Sequence, residues 1–95
     1  MNIPSHLVNT ANLISRAFPE GVSEADYMPL LVVLYPYMAD ENLVEVVHLL
    51  TGRDRGVALN DVYSAGSGAG VDTEAVVAIR ARLVSAGLEE WLLEE

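Results

Sequence analysis

The chain has 95 residues, one small domain that buries about 64% of its extended-chain surface on folding. That is enough for one core and excludes a two-domain enzyme. Its 52% apolar content includes only one Phe and one Trp, so the core must be built mainly from Leu, Val, Ile and Ala. Fourteen acidic side chains face five basic ones, for a net charge of −9, and all five cations are Arg. Such a surface repels phosphate backbones and anionic headgroups alike. There is no Cys, which removes disulfides, thiolate chemistry and Cys-ligated zinc.

At the N-terminus no Lys or Arg precedes Arg16, and polar residues interrupt the apolar ones, so no signal peptide is expected. The most apolar uncharged stretch, residues 27–39, spans thirteen residues and falls well short of a bilayer core of ~30 Å. A soluble, cytoplasmic protein is the expectation.

Leu7, Val8, Ala11, Ile14 and Phe18 recur at helical spacing with His6, Asn9, Asn12 and Arg16 opposite, which predicts a first helix from Ser5 to Ala17. Pro19 stops it. Ser23 and Asp26 have the spacing of a capping box. Pro29, six residues after that cap, would meet the carbonyl of Ala25, which predicts an isolated turn and then a second helix from Pro29 to about Tyr35. That helix is apolar all round and belongs at the centre of the domain. Pro36 ends or kinks it. Asp40 is the expected cap of a third helix, with Leu43, Val46, Val47 and Leu50 in one stripe and Gly52 as its stop. Residues 53–56 read as a charged loop, and Asn60 as the cap of a short fourth helix that Gly66 ends. Residues 67–70 read as a flexible link. Asp72 caps a fifth helix, with Val76, Ile79, Leu83 and Ala86 inward and Gly87 ending it. The tail from Glu89 to Glu95 is docked or frayed according to where Trp91 goes. The fold class is all-α: a single domain over residues 1–95, a bundle of about five short helices around one core.

Chemical motifs fail one by one. Gly66-x-Gly68-x-Gly70 before a helix invites a phosphate, but a dinucleotide fingerprint needs Gly where Val71 stands. A Walker loop needs the Lys that the chain lacks. Ser67 between two glycines lacks the outer glycines and the strand of a nucleophile elbow. His6 and His48 are isolated and form no HExxH pair, and Asp54-Arg55-Gly56 lacks the ligand ladder of a calcium loop. Neighbouring carboxylates in the acidic tail diverge on a helix and cannot pair as acid and base. Arg80 and Arg82 point about 200° apart and cannot share a DNA groove. The expectation is therefore no enzyme, no catalytic residue, no cofactor, no metal site and no nucleic-acid partner.

Four segments carry a family resemblance: Phe18-Pro19-Glu20-Gly21-Val22, Asp26-Tyr27-Met28-Pro29-Leu30-Leu31, Asp40-Glu41-Asn42-Leu43, and the stretch from Val77-Ala78 through Arg82-Leu83 to Ala86-Gly87. Together they resemble the small actinobacterial proteins grouped as domain of unknown function 3349, over about residues 13–88. The resemblance implies a monomeric five-helix bundle and brings no catalytic residue, ligand or partner. Two departures stand out. Tyr35-Pro36-Tyr37 replaces a basic stretch of the family, and Trp91 is displaced from the family's Gly-Trp-Pro position after Gly87.

What remains is an aromatic corner beside an acidic surface. Tyr35, Pro36 and Tyr37 are the candidate partner-binding residues, because Pro36 forces the chain out of the core and tyrosine suits interfaces. The alternative at the same place is that both rings close the core around the kink. The functional expectation is a monomeric, non-enzymatic domain that binds an unidentified protein. The alternative is a small-ligand binder using a pocket between helices.

Overall fold

Ser5–Leu7 winds a 3-10 turn that runs directly into helix α1, Val8–Ala17, in the computed structural model of the chain, which describes residues 3–68 and 70–94. The inward face of this segment is Leu7, Thr10, Ala11, Leu13, Ile14, Ala17 and Phe18. Val8, expected inside, is 38% exposed, and Leu13 takes the fully buried position. Thr10, Ala11, Leu13, Ile14 and Ala17 form the buried stripe of α1, and at about 100° per residue Val8 falls on the opposite side of the helix.

Ser23 caps α2, Glu24–Leu34, its hydroxyl accepting from the Asp26 N–H. The expected break before Pro29 does not occur, since α2 is continuous with Pro29 inside it. The Pro29 ring is buried while Ala25, whose carbonyl loses its helical donor, is exposed to water. Solvation there and burial of the ring offset the missing hydrogen bond. Leu30, Leu31, Val33 and Leu34 are buried, so α2 is the central helix as expected. A second 3-10 turn, Tyr35–Tyr37, closes it, and Met38 turns to extended backbone.

Helix α3 is Asp40–Thr51, and Gly52 ends it at φ 76°. Its N-cap is Ala39, with no side-chain hydrogen bond, so Asp40 does not cap as expected. Instead Asp40 and Glu41 occupy the first turn, where negative charge meets the positive end of the helix dipole. Helix α4, Arg55–Ser67, departs most from the sequence reading. Asp54 caps it, its carboxylate accepting from the N–H of Gly56 at 2.9 Å and of Val57 at 3.4 Å. Asn60 is therefore mid-helix, Gly66 is inside the last turn, and Gly68 ends the helix at φ 70°. Of the expected link, Ser67 is helical, and Ala69 lies outside the described residues.

Asp72 caps α5, Thr73–Ala86, which ends at Gly87 as read from the sequence. The tail forms a sixth helix, α6, Leu88–Glu94, with Leu88 and Trp91 buried. Among the described residues every element is helical. α2 packs against α4 and α5, α3 against α4, and α1 against α5 and α6. Three ties reach across the chain among the described residues: the Trp91 indole donates to the Thr10 hydroxyl at 2.9 Å, Arg16 Nε to the Ala86 carbonyl at 2.9 Å, and Arg82 Nε to the Ala17 carbonyl. Among the described residues no helix is long and apolar enough to cross a membrane.

Candidate functional site

The aromatic corner divides between core and solvent. Both tyrosines are half-buried against the core and Pro36 is exposed. Tyr37 stands edge-on to Trp91, with ring centroids 6.4 Å apart. Its hydroxyl oxygen accepts from Arg80 at 3.2 Å. The Tyr35 ring lies over the backbone of Gly66, so closely that a Cβ there would fall 2.5 Å from its Cζ. Gly66 is thus required not by a positive φ but by the approach of that ring.

This contact joins the corner to α4. Leu59, Tyr63 and Gly66 follow one another at i, i+4 and i+7, hence along one flank of the helix. Leu59 is 36% and Tyr63 57% exposed. At its other end the flank opens on a groove of about 400 Å³ between α3 and α4, lined by Glu41, Val44, Glu45, Arg55, Gly56 and Leu59. A strip therefore runs from Val44 and Leu59 over Tyr63 to Tyr35 and Pro36. Within its rim Arg55 binds Glu45 in a fork, Nε to Oε1 at 2.9 Å and the second nitrogen to Oε2 at 3.0 Å. That pairing holds the Glu45 carboxyl below its usual range and raises Arg55. Among the described residues Asp40 and Glu41 have no ion-pair partner.

A second groove, about 480 Å³, lies between α1, α6 and the end of α5. Asn9, Asn12 and Arg16 line it from α1, and Glu90, Trp91 and Glu94 from α6. Its lining is mainly polar, whereas that of the first groove is apolar.

The remaining polar groups hold the fold together. Tyr27 is buried and donates to Asp61 at 2.8 Å. The Arg53 guanidinium stacks 3.7 Å over its ring and reaches Glu24 at 2.6 Å. Burial, and then the hydrogen bond to Asp61, push the Tyr27 hydroxyl well above its ordinary pKa. His48 does not turn to Glu45, three residues before it; its Nδ1–H donates to the Arg53 carbonyl at 2.7 Å. His6 sits on the exposed N-terminal turn and Ser67 in the last turn of α4, its hydroxyl donating to the Ser64 carbonyl. Among the described residues no three of His, Asp and Glu converge into a group that could hold a metal ion.

Among known protein families, curated proteins and solved structures, none matches this chain. Of the candidates named from the sequence, Tyr35 and Pro36 lie on the strip, whereas Tyr37 turns to Trp91 and Arg80; Leu59 and Tyr63 were not singled out. The signal lay in Asp54: once it is the cap, Leu59 falls inside the helix and the i, i+4, i+7 line follows.

Proposed function

We propose that the protein is a monomeric, non-enzymatic interaction domain whose contact surface is the strip of Leu59, Tyr63, Tyr35 and Pro36. The observation that carries this is Tyr63, a large aromatic side chain 57% exposed on a rigid helix, in line with Leu59 and beside an open apolar groove. Exposed tyrosine on rigid backbone gives contact area at small entropic cost, and such residues dominate binding energy. Helix α5 also exposes a line, Val77, Ala81 and Val84, but the groove that Val84 borders is polar. Membership of the domain of unknown function 3349 family belongs to the same proposal and rests on the segments quoted above.

The test is affinity capture with wild type and with a Leu59→Ser/Tyr63→Ser double variant. The double variant should keep its helical circular dichroism, because exposed positions change stability by about 0.5 kcal/mol or less, and should lose the captured protein at least ~10-fold, a loss of ~1.4 kcal/mol. Retention of the partner by a folded double variant refutes the assignment.

The second groove supports a rival reading, a small polar ligand held between Asn9, Asn12 and Arg16 on one side and Glu90 and Glu94 on the other. A thermal-shift screen separates the two. A ligand at about 100 times its Kd adds ~2.7 kcal/mol of stability, and Arg16→Ala should abolish that gain.

A further inference from the structure

Each of the five arginines is engaged inside the fold. Arg16 donates to the Ala86 carbonyl, Arg53 meets Glu24 and the Tyr27 ring, and Arg55 forks onto Glu45. Arg80 donates to Tyr37, and Arg82 donates to the Ala17 carbonyl, faces Asp26 at 3.6 Å and lies 4.3 Å over Phe18. Among the described residues only Glu24, Asp26 and Glu45 meet a cation in return. The positive charge goes into ties between segments, and among the described residues the other carboxylates form no ion pair. At the strip this leaves Glu41, with Asp40 before it on α3, beside an apolar floor of Val44 and Leu59.

We infer that the strip docks a cationic amphipathic helix of another protein. This rests on the function proposed above and adds the chemistry of the partner. An apolar floor between two packed helices suits the apolar face of a third, read out at i, i+3 or i+4, and i+7. Lys or Arg flanking that face would meet Asp40, Glu41 and the summed field of the surface, which steers association and sets its salt dependence. The same field selects against the other occupants. A second copy brings its own net charge of −9, and nucleic acid or an anionic membrane is repelled likewise.

The experiment titrates the isotope-labelled full chain with three synthetic helical peptides of ~16 residues. They share one Leu face and carry Lys, Gln or Glu at the polar positions. At ~50 mM salt the Lys peptide should bind at least ten times more tightly than the Gln peptide and the Glu peptide should not bind; near ~500 mM salt the advantage should vanish as the Debye length falls to a few ångströms. Amide shifts should centre on Glu41, Val44, Leu59 and Tyr63, and Asp40→Asn/Glu41→Gln should cut the Lys advantage at least threefold. Equal affinity for the Lys and Gln peptides at the strip overturns the cationic partner and leaves the interaction surface standing. Failure of all three peptides, with a captured partner still lost in Leu59→Ser/Tyr63→Ser, does the same. Shifts centred on Glu90 and Glu94 overturn both the partner chemistry at the strip and the strip itself.

Discussion

Thr10→Val tests how α6 is held. Thr10 and Trp91 are each 2% exposed, and the indole N–H to Thr10 Oγ1 hydrogen bond, at 2.9 Å, lies wholly inside the core. Valine keeps the volume and replaces the hydroxyl by a methyl. The indole N–H then has no acceptor and no water, which costs ~1–3 kcal/mol. A central value of about 2 kcal/mol lowers Tm by roughly 8–16 °C in a domain of this size. Thr10→Ser keeps the acceptor, loses only a methyl, and should cost about 1 kcal/mol. Trp91→Phe removes the donor, and the Thr10 hydroxyl can then turn back to a carbonyl of its own helix. The double variant should therefore cost less than the sum of the singles by ~1 kcal/mol or more. Urea denaturation followed by circular dichroism gives the stabilities, and Trp91, the sole tryptophan, reports its own burial by a blue-shifted emission. A Thr10→Val protein within about 0.5 kcal/mol of wild type would refute the tie. So would native emission at the wavelength of free indole.

Three further outcomes follow from the same geometry. Tyr27 has a raised pKa in the fold, because it is buried and donates to Asp61, whereas the unfolded phenol ionises near pH ~10; its contribution is complete below that pH and is lost as pH rises above it, by up to about 1.4 kcal/mol per unit. Urea midpoints between pH 9 and 11 should fall less steeply in Tyr27→Phe, and an unchanged slope would contradict the account. Gly66→Ala gains ~1 kcal/mol of helix propensity but forces the Tyr35 ring aside, so it should raise Tm only when Tyr35→Ala has already removed the ring. Asp54→Ala should cost ~1 kcal/mol as a lost cap, while Asn60→Ala, mid-helix and exposed, should stay within about 0.5 kcal/mol; the reverse order in a denaturation series would restore Asn60 as the helix start.

The helices most legible in the sequence are those whose ends depend on local chemistry. Gly52 and Gly87 end α3 and α5 with φ of 76° and 115°, and Asp72 caps α5 through the Glu74 N–H. These choices involve residues at most four apart. The continuity of α2 through Pro29 and the docking of the tail depend on distant partners. Pro29 can lie inside α2 because its ring enters a core made by other helices, a compensation that no local rule contains. The tail folds because Trp91 finds Thr10, 81 residues earlier in the chain, and the spacing of Glu89 to Glu94 holds no trace of that hydroxyl.

The candidate surface was half legible, and here the difficulty is local. Tyr35-Pro36-Tyr37 stands out locally, since Pro36 must break a helix wherever it is placed. The α4 half hinges on Gly56, which reads as a loop residue because glycine in a helix costs ~1 kcal/mol relative to alanine. Here it occupies the first turn, where its N–H meets the Asp54 carboxylate at 2.9 Å, and a Cβ would sit 3.0 Å from that same oxygen. The glycine therefore leaves room for the cap: a larger residue would press on the carboxylate that starts the helix. Start α4 at Asp54 rather than Asn60 and it gains nearly two turns, bringing Leu59 into register with Tyr63 and Gly66 and bordering the α3 groove. The strip is thus a consequence of where one helix begins, and its far end is set by Gly66, the one position on that line small enough to let the Tyr35 ring lie against the backbone.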